Sequence, residues 1–281
     1  MAVRIVTDST ADLPNDLVRA LGIVVVPLHI YFGAERFRDG ADISHDEFYG
    51  RLTAGTGPLP RTAAPSSADF ASAYDALAAD SDGIVSIHLS SALSATYRAA
   101  VIGVSESARG CRIEVVDSTS VSLGLGLLVL QAAELARDGA TLDEILATTR
   151  SAIPRVRFFG VLHTLEYLRR GGRIGRASAF LGSVLQVKPI VGLADGVAYP
   201  IERARGRRRA LIRLCELISD CGQIARVAVG HTTDAAGMES LEKYVAGIAP
   251  ELDIIRARCG ATLGTYLGPG AFGSGLILAS S

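Results

Sequence analysis

The chain has 281 residues, 49% hydrophobic and 20% charged, with a net charge of −1. That length and balance suit one large globular unit or two of ordinary size, and give no general attraction to nucleic acid or an anionic membrane. The N-terminus lacks a long apolar stretch before a cleavage site, and no apolar run is both long enough and free of glycine to span a bilayer, so a cytoplasmic protein without a membrane span is expected.

In chain order, RIVTDS reads as a strand, LPNDLVRALG as a helix closed by Gly22, and IVVVPLHI as a second strand. An irregular stretch to about Gly57 precedes the helix SADFASAYDALAADSDG and the strand GIVSIHLS. SATYRAAVIGVSESARG, RIEVVDS and GLGLLVLQAAELARDG then read as helix, strand and helix. Short apolar strands separated by amphipathic helices predict an α/β unit whose parallel sheet is covered on both faces. Ligands of such sheets sit beyond the carboxyl ends of the strands, where TDST, LSSALS and VDSTS all fall.

From about residue 141 the pattern changes. TLDEILATTRSAIPRV is helical up to Pro154, FFGVLH is a strand, TLEYLRRGGR is a short helix ended by Gly171 and Gly172, and ASAFLGSVL is a further helix. KPIVGLADGVAYPIERA predicts a hairpin around Asp195–Gly196. The helix RRRALIRLCELISD, strand ARVAVGHT, helix AAGMESLEKYVAGIA and strand LDIIRARCG follow, and GSGLILAS closes the chain as a strand. Strand pairs mixed with helices suggest a second, α+β unit.

Several chemistries lack their signatures. The chain has no P-loop and no G-x-S-x-G elbow. Cys111, Cys215, Cys221 and Cys259 form no C-x-x-C pair and the five histidines are scattered, so neither a metal nor a cofactor is expected. Gly124 and Gly126 form G-x-G without the third glycine of a dinucleotide fingerprint, and close helix packing accounts for them. Ser94 would be the nucleophile of an acyl hydrolase, although no histidine lies in a partnering motif. Arginines cluster at Arg203–Arg213 and again at Arg169, Arg170, Arg173 and Arg176; both are solvated by default, and together they suit docking of a phosphate-carrying or acidic partner. A nucleic-acid binder is the weaker alternative for these clusters.

The sequence HLSSALSATY places several hydroxyls where a strand hands over to a helix, and Thr62 lies upstream of the Ser66/Ser67 cap position. Ser91 or Ser94 would cap the following helix, which leaves the other hydroxyls spare. Neutral hydroxyls at a helix start suit a small anion held by O–H and N–H donors. Beside an apolar core, that anion would be the carboxylate of a long hydrocarbon chain.

Nine segments in order carry a resemblance: VTDSTADLP, VVPL, T62-AAPS, HLSSALSATY, VDSTSVSLGLG, HTLEYLRRGGRIG, KPI, ARGRRRAL and GPGAFG. Together they resemble the DegV family, whose members serve as the fatty-acid-binding FakB subunit of bacterial fatty acid kinase. The resemblance implies a Rossmann-like parallel-sheet domain, residues 1–155, packed on an α/β sandwich domain, residues 156–281, with the lipid buried between them. It implies carboxylate contacts at Thr62 and Ser94, with Ala95 and Tyr266 completing the site. Arg173, and with it Arg170 and Arg205, would engage a separate ATP-dependent kinase subunit that phosphorylates the carboxylate. Transient membrane contact would serve lipid exchange, and a lipid carrier without a kinase partner is the alternative. The chain departs from the family's usual T-S-Q-P-S at Ala63 and Ala64, from its S-G-T-Y at Ala95, and from its T-H-x-G-P-G at Tyr266. A phenol donates a hydrogen bond, but it is no imidazole base.

Overall fold

The computed structural model describes residues 2–55, 57–108, 110–180 and 187–280. The first part of the chain runs β1 (Ala2–Asp8), α1 (Asn15–Ala20), β2 (Val24–Val26), β3 (His29–Phe32), β4 (Glu35–Arg38) and α2 (His45–Ala54). It continues with β5 (Arg61–Ala63), α3 (Ser67–Ala78), β6 (Ser81–His88), α4 (Thr96–Glu106), β7 (Ile113–Asp117), α5 (Ser122–Arg137) and α6 (Leu142–Ala152). Four of these strands form a parallel sheet in the order β2-β1-β6-β7. Side chains alternate along β1: Ile5 packs with Leu125 and Val129 of α5, while Val6 packs with Phe70 and Tyr74 of α3. The predicted parallel sheet, covered on both faces, is present.

The second part runs β8 (Val156–Val161), α7 (Glu166–Arg170), β9 (Val187–Ala194), β10 (Val197–Arg205), α8 (Gly206–Ser219) and β11 (Ile224–His231). α9 (Ala235–Ile248), β12 (Ile254–Arg258), α10 (Ala261–Leu267) and β13 (Phe272–Leu278) complete it. Its six-stranded sheet has the order β10-β9-β8-β13-β11-β12, antiparallel throughout except for the β11–β12 pair. Asp195 and Gly196 both take positive φ, 51° and 74°, as the predicted hairpin turn requires.

α5 joins the two sheets. Leu125, Val129 and Ala133 face the parallel sheet, whereas Leu123, Leu127 and Leu128 pack on Ala228, Ala257 and Ile277 of the mixed sheet. A helix apolar on all sides must be buried on all sides. Gly124 and Gly126 permit this: an added Cβ would lie 2.9 Å from Val156 Cγ1 at the first and 2.6 Å from the Ala11 carbonyl oxygen at the second.

Four expectations need correction. IVVVPLHI is two strands, because Pro27 has no N–H to continue a ladder; β2 stays in the parallel sheet, while β3 joins a separate antiparallel sheet, β4-β3-β5. The irregular stretch before Gly57 holds β4 and α2, the latter capped by Ser44, whose hydroxyl accepts from the Glu47 N–H. ASAFLGSVL is represented by a 3-10 turn over Gly175–Phe180, and residues 181–186 lie outside the described residues. Residues 261–267, left unassigned between two strands, form α10.

Candidate functional site: an apolar cavity with hydroxyls in its wall

A cavity of about 310 Å³ lies between the carboxyl ends of the parallel sheet and the β9–β10 hairpin. Three strand ends reach it: Thr10 after β1, Leu89, Leu93, Ser94 and Ala95 after β6, and Val121 after β7. This is the placement expected for a parallel sheet. Val191, Leu193 and Ala198 of the hairpin, and Phe158 of β8, close the other side. α10 supplies Thr262, Leu263, Tyr266 and Leu267, four residues at helical spacing along one face.

The sequence-predicted head-group residues meet at this cavity. Thr62, on β5 opposite Ile30 of β3, shares a 2.5 Å hydrogen bond with the Tyr266 hydroxyl. The Ser94 hydroxyl bonds to the Thr96 hydroxyl at 2.9 Å and accepts from the Thr96 N–H at 3.3 Å, so it serves the start of α4 from one residue before the N-cap. The N-cap residue itself is Ala95, whose methyl group cannot accept a hydrogen bond from the helix start. Ser91 has another role: its N–H points to Asp117. Ala63 and Ala64, where the resemblance leads to polar residues, add apolar wall.

Arg173 also lines the cavity, which the sequence reading did not foresee. Its guanidinium lies 5.3 Å from the Tyr266 ring centroid; Nε donates to the Leu93 carbonyl at 3.1 Å and Nη1 to the Gly171 carbonyl at 2.8 Å. A fixed cation therefore accompanies the neutral hydroxyls. Gly171 lets the end of α7 lie against Tyr266, since a Cβ there would collide with the ring. A second hollow of about 550 Å³ opens on the outer side of Thr62, Arg173 and Tyr266 and is bordered by Arg61 and Arg170. Arg205 is not part of it: it pairs with Val187 at the opposite end of the hairpin from the turn.

Behind the cavity lies a fully buried network. Asp8 Oδ2 bonds to His88 Nδ1 at 2.9 Å and accepts from the Leu89 N–H, its Oδ1 accepts from Thr10, and His88 Nε2 bonds to the Ser86 hydroxyl at 2.7 Å. The order Ser86–His88–Asp8 imitates a nucleophile triad, but Ser86 is 0% exposed and does not border the cavity. It is scaffolding that ties β1 to β6. Asp12 is a second buried link, accepting from the Ser122 hydroxyl at 2.5 Å and from the Gly260 N–H at 2.8 Å. Burial raises its carboxyl to about 7 against the bonds from Gly260 and Ser122 that lower it, and nearby Asp39 adds to the rise.

A parallel sheet joined through one helix to a mixed sheet, with a largely apolar cavity at the carboxyl ends of the parallel strands, describes a two-sheet α/β protein. The family model described as "Uncharacterised protein, DegV family" matches residues 2–279, and the chain belongs to the DegV family. It is 38% identical to a DegV domain-containing protein of Caldanaerobacter subterraneus over 96% of this chain and 97% of that one. Among solved structures it is similar to the fatty-acid-binding DegV family protein of Thermus thermophilus, with TM-score 0.90 and 32% identity over 99% of this chain and 100% of that one. DegV of Bacillus subtilis, a fatty acid binding protein, gives TM-score 0.88 and 31% identity over the same shares.

Proposed function

We propose that the protein binds a long-chain fatty acid in the cavity, its carboxylate at Thr62, Ser94, Ala95 and Tyr266, and offers that carboxylate to a separate ATP-dependent kinase subunit for acyl phosphate formation. The observation that carries the reading is one cavity whose mostly apolar wall also includes Ser94 and the hydrogen-bonded Thr62–Tyr266 pair. A volume of about 310 Å³ falls in the range of small-molecule sites, roughly 300–1,000 Å³. Burying about 14 methylenes contributes on the order of 11 kcal/mol gross at ~0.8 kcal/mol each. A hydrogen bond to the carboxylate adds only ~1.5–3 kcal/mol. The tail sets affinity and the hydroxyls set orientation. The solved relatives that bind fatty acids support the same ligand here.

We read the chain as two units, 1–155 and 156–281, with the acyl chain between them. The outer hollow bordered by Arg170 and Arg173 supports presentation to a partner, since it opens directly on the head-group end. Arg205, remote from it, would need a partner broad enough to touch both places. A stand-alone hydrolase using Ser94 fits less well, because the bonds its hydroxyl makes among the described residues run to Thr96 and not to a histidine. Solvent extraction of purified protein followed by mass spectrometry should release a long-chain acid. Protein that yields none, and takes up none when it is supplied, would refute the reading.

A further inference from the structure

The cavity has an outer and an inner boundary. Thr62, Arg173 and Tyr266 stand between it and the outer hollow, whereas Phe158 and Leu267 stand between it and a void of about 20 Å³ further inside. That void lies between α5 and the mixed sheet, against Leu123, Leu162 and Phe272, each at most 3% exposed. By itself it has room for little more than one water-sized group, which takes roughly 10–15 Å³. It becomes useful to a ligand only together with the space that the Phe158 ring fills.

Missing side chains make the void. Gly160 lies two residues along β8 from Phe158 and therefore on the same face of the strand. A Cβ at Gly160 would rest 3.7 Å from Phe158 Cε1 and 3.8 Å from Cγ2 of Val191, which lines the main cavity. Both are ordinary contacts, so a methyl group fits beside the ring edge and glycine leaves that space open. Gly230 and Gly273 border the same void and likewise leave it unfilled. The Phe158 ring is thus a partition with the cavity on one side and unfilled space on the other, whereas Thr62 and Tyr266 belong to the outer boundary.

Resting on the fatty-acid reading above, we infer that Phe158 fixes the longest acyl chain the protein accepts, by closing the cavity against the inner void. A chain that ends before the ring packs wholly within the cavity. A longer chain must displace the ring, so its added methylenes gain nothing from burial. Leu267 forms the rest of the partition, but it directly follows Tyr266 in α10. Phe158, on β8 and remote in sequence from the head-group residues, is the part of the partition that can be changed alone.

The test is displacement of a fluorescent fatty acid from the full delipidated chain by even-numbered saturated acids from decanoic to eicosanoic. Affinity should rise with length up to one acid and then fall. In Phe158→Leu the next longer acid should gain about tenfold relative to that one, because its two extra methylenes are then buried, and Phe158→Ala should give at least the same gain. Gly160→Ala should leave the parent's limit in place, because the ring already closes the passage, yet cancel the gain when combined with Phe158→Leu. A limit unmoved in Phe158→Leu, a gain that survives Gly160→Ala, or a parent affinity that rises through the whole series overturns the Phe158 assignment while leaving fatty-acid binding standing. Failure of every acid to displace the probe from the parent protein overturns the fatty-acid reading and this inference together.

Discussion

The Thr62–Tyr266 pair and Ser94 place polar residues in the wall of a greasy space, and each can be tested alone. Ser94→Ala and Thr62→Ala should each weaken acid binding about tenfold or more, since a bond to a charged oxygen is lost, while thermal unfolding shifts little. Titration with a fluorescent acid reads the first effect and circular dichroism the second. Arg173→Ala should lower acyl phosphate formation with a kinase subunit and ATP while the quantity of extracted acid stays the same. A fall in extracted acid would instead make this guanidinium, which touches the cavity, the carboxylate's counter-ion. The short motifs that hold Thr62, Ser94 and Tyr266 pointed to residues that line one cavity. The Asp8–His88–Ser86 network was not legible, because a hydrogen bond between residues 80 apart in sequence leaves no local trace.

Among the elements, periodicity and breakers located the long helices and the hairpin, where local preference and tertiary packing agree. α2 went unread although Ser44 and Glu47 carry the S-x-x-E spacing of a helix start; the apolar residues behind it are few. Ser44→Ala should cost about 1 kcal/mol of stability, read from urea unfolding. α10 is too short to show a period, and its start is held from afar by Asp39 and Asp12. The split of β2 from β3 was written in Pro27, but a proline alone does not say which sheet the chain enters next. Gly171→Ala tests the packing of α7 on α10: its Cβ would press on the Tyr266 ring, so acid binding should weaken although the cavity's hydroxyls are all retained.

For the molecule as a whole, Asp12 links the segment after β1 to α5 and to the approach to α10. Its folded value, about 7, lies above the ordinary 3.8, so the folded state holds a proton that the unfolded chain has released. The stability this group contributes is therefore greatest in acid and declines as pH rises from about 4 through about 7, then levels off. Urea midpoints measured across that window should fall for the parent protein, and the Asp12→Asn variant should show a flatter curve; parallel curves would exclude the effect. The two-sided burial of α5 has a plainer outcome. Cutting the gene after the codon for Arg155 would leave Leu123, Leu127 and Leu128 facing water, so the shortened product should precipitate unless the remaining polypeptide is supplied alongside it to cover that stripe.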